Sequence, residues 1–139
     1  MAQDAGRTLS AYRSAARAHL PKERLPEAAL GGVLTYIGRA QRAIAARDIS
    51  GAHTALVAAQ QVVAVLRASL DHAAGGSLAE RLDALYGYIL AEIGHANIEK
   101  SAARLAALVP VIAPLHAAWG QAAATQARST AQAAGGGRT

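Results

Sequence analysis

Apolar residues recur along this chain at alternating steps of three and four, which is the spacing of an α-helix with one buried side. The pattern predicts four long helices, over about residues 26–47, 51–73, 78–97 and 101–125. The stripes are Leu30, Leu34, Ile37, Gln41 and Ile44; Leu56, Ala59, Val63, Leu66 and Leu70; Leu78, Leu82, Leu85, Ile89 and Ile93; and Leu105, Leu108, Ile112, Leu115 and Trp119. Helices of roughly 20 residues are about 30 Å long, so four of them can pack along their whole length. The sequence therefore predicts an all-α fold, an antiparallel four-helix bundle.

The residues between the stripes are typical of helix ends. Asp48 or Ser50 can cap the second helix. Gly75-Gly76 predict a left-handed turn that ends this helix and reverses the chain. Ser77, with Glu80 three residues later, predicts a capping box at the start of the third helix.

Two features depart from an ideal bundle. Gly31-Gly32 lie inside the first long helix, where each glycine costs about 1 kcal/mol relative to alanine. Pro110 and Pro114 lie inside the last helix and are expected to kink or interrupt it.

The two ends of the chain have few bulky apolar residues. Residues 1–20 are predicted to be a mobile basic segment or a short extra helix, and residues 21–125 to form the bundle. The apolar stripe is lost after Gly120, and Gly135–Gly137 close an alanine-rich end, so residues 126–139 are predicted to be a disordered tail.

Composition excludes several classes of protein. A chain of 139 residues is expected to be one domain. It has no cysteine, so neither a disulfide framework nor a thiolate metal site is available. No uninterrupted apolar run approaches about 18 residues, so no transmembrane helix is predicted. The start lacks the order of a secretory signal, and its acidic residues argue against an organellar transit peptide.

A second apolar row lies beside each stripe. Its members are Val33, Tyr36 and Ala40; Val62 and Val65; Tyr86 and Leu90; and Val109 and Val111. Periodicity leaves two interpretations open, since such a row can be extra core or a shallow groove for a helix of another protein.

Catalytic and metal-binding patterns are weak. Glu92 and His95 have the Glu-x-x-His spacing of di-iron bundle proteins, but a second such pair and the further inward carboxylates are missing from the sequence. We therefore interpret both residues as helix surface. The sequence offers neither a cysteine nucleophile nor a Gly-x-Ser-x-Gly motif, and it predicts no enzyme activity, metal or cofactor.

A set of short motifs resembles one family of small helical proteins. The motifs are Ser69-Leu70-Asp71, Gly75-Gly76, Leu82, Leu85-Tyr86, Tyr88, Ala96-Asn97 and Trp119. In this order and at these spacings they are similar to the flagellar export chaperone family FliS, over about residues 11–120. Weaker similarity extends to Ala11-Tyr12 and to Ala43-Ile44 followed by Asp48.

The resemblance implies a cytoplasmic chaperone of type III flagellar secretion. Such a protein would bind the disordered C-terminal segment of flagellin, prevent premature polymerisation and deliver the subunit to the export gate. On this hypothesis the flagellin contacts are the second-row residues Val33, Tyr36, Val62, Val65, Tyr86 and Leu90. The resemblance also gives Tyr12 a role in an N-terminal segment that covers the flagellin site and contacts the export gate. Pairing of two copies is left open.

The alternative hypothesis is a small basic helical module that binds nucleic acid. The formal net charge is +5. This function would require Arg39, Arg42, Arg47, Arg67 and Arg81 to lie together on one face. The family resemblance does not imply a nucleic-acid partner.

Overall fold

The computed structural model describes residues 25–136, which form four α-helices and no strand. They are α1 (Leu25–Ala45), α2 (Ile49–Ala68), α3 (His72–Glu99) and α4 (Ala102–Gly136). The predicted all-α fold is confirmed. The predicted N-terminal segment, with Tyr12, lies outside the described residues.

The four helices form a ring in which each packs against two neighbours. Helix α1 packs against α2 and α4, and α3 packs against the same two helices. Two contacts show that α2 and α3 are antiparallel: His53 near the start of α2 meets Asn97 near the end of α3, and Arg67 near the end of α2 meets Asp83 near the start of α3. The order is that of an up-down-up-down bundle.

The core is made by the predicted apolar stripes. Its largest fully buried side chains include Leu30, Ile37, Leu56, Ile89, Ile93, Leu105 and Ile112. Removing this apolar surface from water is the main stabilising contribution to such a fold. The described residues bury no charged side chain in it.

The two turns at one end of the bundle have a similar backbone conformation and the same kind of helix cap. Arg47, between α1 and α2, and Lys100, between α3 and α4, both have a positive φ, of 59° and 51°. The next residue then caps the following helix: Asp48 Oδ1 accepts from the amide of Gly51 at 2.9 Å, and Ser101 Oγ accepts from the amide of Arg104 at 3.1 Å. Of the two caps predicted for α2, the structure therefore selects Asp48.

The turn between α2 and α3 differs from the prediction. The chain reverses at residues 69–71, and Asp71 caps α3 by accepting from the amide of Ala74 at 3.0 Å. Gly76 lies inside α3 as a kink with φ 52° and ψ −128°, a conformation accessible essentially to glycine alone. The left-handed φ predicted for this glycine pair is found at Gly76, where two helical stretches join at a kink. The chain reverses earlier than predicted, at residues 69–71, and the cap that the structure shows is Asp71 rather than Ser77.

The prolines of α4 do not interrupt it, which corrects that part of the prediction. Pro110 and Pro114 both lie in a continuous helix, and both face solvent. A proline has no amide hydrogen, so the carbonyls four residues earlier, at Ala106 and Pro110, lose their helical partners. On the solvent side water can satisfy these carbonyls, which is why the helix tolerates both prolines. Gly31-Gly32 likewise leave α1 continuous.

The predicted tail is helical in the structure. Helix α4 continues to Gly136, and residues 124–135 are all exposed. A helical stretch without tertiary contacts is marginally stable in water. Disorder of residues 126–139 in solution therefore stays a prediction.

Several polar side chains pack directly against a glycine of a neighbouring helix. A Cβ added at Gly87 would lie 3.2 Å from the guanidinium of Arg67, and one at Gly31 would lie 3.2 Å from His116 Nε2. Gln60 lies over Gly94 in the same way, and Glu27 lies over Gly120. The missing side chains let these polar groups pack close to the opposite backbone.

Two helices are long and apolar enough to span a membrane by length and composition alone. They are α2 and residues Ala102–Gly135 of α4, each with a mean hydropathy of 1.4 in its most apolar window. Helix α2 packs in the bundle core, and core helices of water-soluble proteins often pass the same test.

Candidate partner-binding surface

The structure turns most of the predicted second row inward. Val33 and Tyr86 are fully buried, and Val62 and Tyr36 are only 3% and 5% exposed. Each helix of the ring must cover two neighbours, so it needs a wider apolar face than one stripe provides. Of the two interpretations of the second row, core or groove, the structure therefore favours core for these residues, and their contact with flagellin stays a prediction.

Val65 and Leu90 are the second-row site residues that remain at the surface, both half-buried. Leu90 lies on the edge of α3 that faces α2, between Gly87 and Gly94. Val65 lies toward the opposite edge of the outer face of α2, about 120° around the helix from the edge that faces α3. A partner helix crossing the outer face of α2 would pass between them.

The outer face of α2 carries almost no charge. Arg67 is the only charged residue of this helix. The exposed or half-buried positions are instead mostly uncharged: some are small or apolar, at Val57, Ala64, Val65 and Ala68, and others are polar, at Ser50, Thr54, Gln60 and Gln61. Solvent-facing helix surfaces are ordinarily rich in charged residues, so this face is unusual for a surface that water alone covers.

Three polar residues mark the edge where α2 meets α3. His53, Gln60 and Arg67 follow one another at steps of seven along α2. They lie against Asn97, Gly94 and Gly87 of α3, respectively, with Asn97 Nδ2 donating to His53 Nδ1 at 3.0 Å. We call this row and the outer face of α2 the α2 surface.

The single charge of the α2 surface is neutralised within the protein. Arg67 Nε donates to Asp83 Oδ1 at 2.8 Å, and Arg67 Nη2 donates to Asp83 Oδ2 at 3.3 Å. The hydrogen bond from Arg67 lowers the pKa of Asp83, and the same bond raises the pKa of Arg67. Both side chains are about two-fifths exposed, so we assign the pair a positioning role rather than a large stabilising one.

A similar exposed network joins α3 to the start of α4. Arg104 Nε donates to Glu99 at 2.7 Å, and Arg104 Nη1 donates to Glu92 at 3.2 Å. The hydrogen bond from Arg104 lowers the pKa of Glu99. Glu92 therefore takes part in an ion pair, and the described residues contain no group of three or more His, Cys, Asp or Glu able to hold a metal.

Within residues 25–136, four large apolar side chains are exposed, and three of them lie on α3. Leu78, Tyr88 and Ile98 are 59%, 52% and 84% exposed, and Ile49 at the start of α2 is 55% exposed. Periodicity placed Leu78 in the core stripe, but residues 71–78 all face solvent around the kink at Gly76. The spacing of apolar residues along one helix does not show where the neighbouring helix that would cover them ends.

Two polar atoms are buried without a hydrogen-bond partner where α3 meets α4. They are the hydroxyl oxygen of Tyr86 and the indole nitrogen of Trp119. Burial raises the pKa of Tyr86, and the interaction of its hydroxyl with the side chain of Trp119 offsets part of that rise. Trp119 packs against the core with its ring partly buried, as its place in the stripe predicts.

The arginines required by the nucleic-acid alternative do not gather. Arg39 and Arg42 lie in the last turns of α1, and Arg47 lies in the turn that follows this helix. Arg67 and Arg81 lie at the opposite end of the bundle, and Arg67 is paired with Asp83. A continuous cationic surface of these five residues is therefore absent from the described part of the chain.

Comparison with protein-family models matches residues 5–126 to the family described as flagellar protein FliS. The match covers all of α1 to α3 and most of α4. A search of curated proteins found no match.

Proposed function

This chain belongs to the flagellar protein FliS family, whose members are soluble flagellar export chaperones, and from that membership we propose that it binds flagellin. The proposed ligand is the disordered C-terminal segment of flagellin, held apart from other subunits until export. The chaperone would work in the cytoplasm and deliver flagellin to the export gate.

The observation that carries this proposal is the uncharged outer face of α2. A helix with one charged residue in 20 gains little from contact with water, and its single arginine is already paired. An amphipathic helix of a partner can cover such a face with its own apolar side. Membership of a flagellar chaperone family supports flagellin as that partner.

The contacts we propose centre on Val65 and Leu90 at the two margins of the α2 surface, with Val57 and Ala64 between them. Val33, Tyr36, Val62 and Tyr86 support this surface from beneath, since the closed bundle buries them. Tyr12 keeps its proposed role in a covering segment that also contacts the export gate.

Folding of a disordered segment on binding has a known energetic signature. Ordering the segment costs several kcal/mol, so the complex must bury on the order of 1,000 Å² or more of surface. Burial of that much apolar surface gives a negative heat capacity of binding. Because the single charge of the α2 surface, on Arg67, is already paired with Asp83, we expect the affinity to change little with salt, unlike binding to nucleic acid.

Calorimetry with full-length flagellin and with flagellin lacking its C-terminal segment tests the function. We expect binding to the first and none to the second. Equal binding to both, or binding to neither, would exclude the proposal.

A pair of charge substitutions tests the surface. Val65→Asp should weaken binding at least about tenfold, because an unpaired carboxylate would be desolvated in the contact. Ala106→Asp places the same charge on the exposed face of α4 and should leave binding unchanged. Circular dichroism of both variants controls for folding, and equal effects of the two substitutions would remove the α2 surface from the site.

A further inference from the structure

The two halves of helix α4 pack unequally against the rest of the bundle. Its first half, residues 102–112, buries Leu105, Leu108 and Ile112, and Arg104 ties it to Glu92 of α3. From residue 113 onward only Ala123 is buried, while Leu115 and Trp119 are partly exposed. The second half therefore has much less apolar contact with the bundle.

The two halves meet at the prolines. Pro110 and Pro114 remove two hydrogen bonds from one side of the helix, one in each of two successive turns, those to the carbonyls of Ala106 and Pro110. Missing backbone bonds on one side are a known cause of helix bending. The weakest part of the helical backbone thus coincides with the change in packing.

The contacts of the second half with α1 and α3 are also unusual. On the α1 side, His116 lies over Gly31 and Glu27 lies over Gly120, so polar groups rest on backbone there. On the α3 side, the Tyr86 hydroxyl and the Trp119 indole nitrogen are buried without partners. A buried polar group without a hydrogen bond loses its bonds to water without replacement, which disfavours the closed arrangement.

We propose that residues 115–136 of α4 form a lid that swings about Pro110 and Pro114 and uncovers a second contact for the client. Opening returns Tyr86 and Trp119 to hydrogen-bonding partners and exposes the side of Tyr86 that Trp119 covers. A helix of the flagellin segment then packs there, with a carbonyl or side-chain oxygen accepting from the Tyr86 hydroxyl. This part of the inference rests on the proposed function, whereas the opening itself does not.

Hydrogen exchange of the free protein tests the opening without flagellin. Amides of residues 115–123 should exchange at least about tenfold faster than those of residues 102–109, because they open without global unfolding. Uniform protection along α4 up to Trp119 would overturn the lid.

Cross-linking tests whether the client needs the lid to open. The chain has no cysteine, so Gly31→Cys with His116→Cys can be joined by a short bifunctional thiol reagent to hold the lid closed. The matched control joins Glu92→Cys to Arg104→Cys, which ties down the half of α4 that does not move. We expect flagellin affinity to fall at least about tenfold in the first cross-linked protein and to be unchanged in the second.

The outcomes separate the two proposals. Failure of every variant to bind flagellin, cross-linked or not, would contradict the proposed function, and the exchange measurement would still decide the lid. Equal affinity of both cross-linked proteins for flagellin, with binding intact, would overturn the client's use of the lid alone. Reduced, unlinked cysteine variants separate the effect of the cross-link from that of the substitutions.

Discussion

The two helical hairpins of this bundle are built differently. Helices α1 and α2 are continuous, and each buries an apolar face that runs most of its length. Helices α3 and α4 contain the kink at Gly76 and the two prolines of α4. They also hold the unpaired polar atoms of Tyr86 and Trp119, whereas α2 holds one such atom, Gln61 Oε1. Three of the four exposed large apolar residues also lie on α3.

The difference indicates that one hairpin keeps the bundle folded while the other can change conformation. The α1–α2 hairpin has the regular packing of a scaffold, while the α3–α4 hairpin holds the irregular positions at which a helix can bend or open. A chaperone needs both properties, since it must stay folded while its client changes conformation. Matched substitutions, most of them in the α3–α4 hairpin, test this difference.

The largest effect should come from a cavity in the scaffold. Ile37→Ala removes most of a fully buried side chain and should lower the free energy of unfolding by about 2–5 kcal/mol. Leu115→Ala, in the loosely held half of α4, should cost clearly less. Urea denaturation followed by circular dichroism measures both, and equal losses would show that the two hairpins are packed alike.

A smaller effect is expected at the kink of α3. Gly76→Ala meets no atom within 4 Å, so its whole cost is the backbone conformation, about 1–3 kcal/mol. Gly135→Ala also enters open space but has no positive φ and should not destabilise the protein. Thermal unfolding of both variants checks the contrast, and an unchanged midpoint for Gly76→Ala would mean that the kink straightens at no cost.

The start of α3 gives an effect of about 1 kcal/mol. Asp71→Ala removes the carboxylate that accepts from Ala74 and should destabilise by about that amount. Ser77→Ala lies within the helix and should change stability by less than about 0.5 kcal/mol. Denaturation midpoints in urea compare the two, and the reverse order would restore the capping box predicted from sequence.

The smallest change should be at the unpaired hydroxyl of α3, and it should be favourable or neutral. Tyr86→Phe removes a buried polar group that lacks a partner, so the free energy of unfolding should stay the same or rise by up to about 1 kcal/mol. Tyr88→Phe, at an exposed ring, is the control. A loss of stability in Tyr86→Phe alone would show that the hydroxyl is bonded in solution, for example to water.

Sequence alone predicted the fold well because helical periodicity and turn residues act locally. The four stripes, the Asp48 cap and the glycine requirement at position 76 all depend on neighbours within a few residues. The family resemblance was likewise contained in short motifs and is confirmed.

The partner surface was harder to predict because it depends on the arrangement of helices. Tyr86 and Val65 look alike in the sequence as second-row residues, but one faces a second neighbour and the other faces solvent. Nor does periodicity show which exposed face lacks charge. That signal was present in the composition of α2, as the single Arg67 among 20 residues.

Where a side chain lies across a glycine of another helix, the residues tolerated at the two positions depend on each other. An alanine at position 87 would meet the guanidinium of Arg67, so tolerance of that change depends on what stands at position 67. The same dependence links Gly31 with His116 and Gly120 with Glu27. Such pairs are expected to covary among related sequences. A substitution at one position of a pair changes which residues the other position can accept.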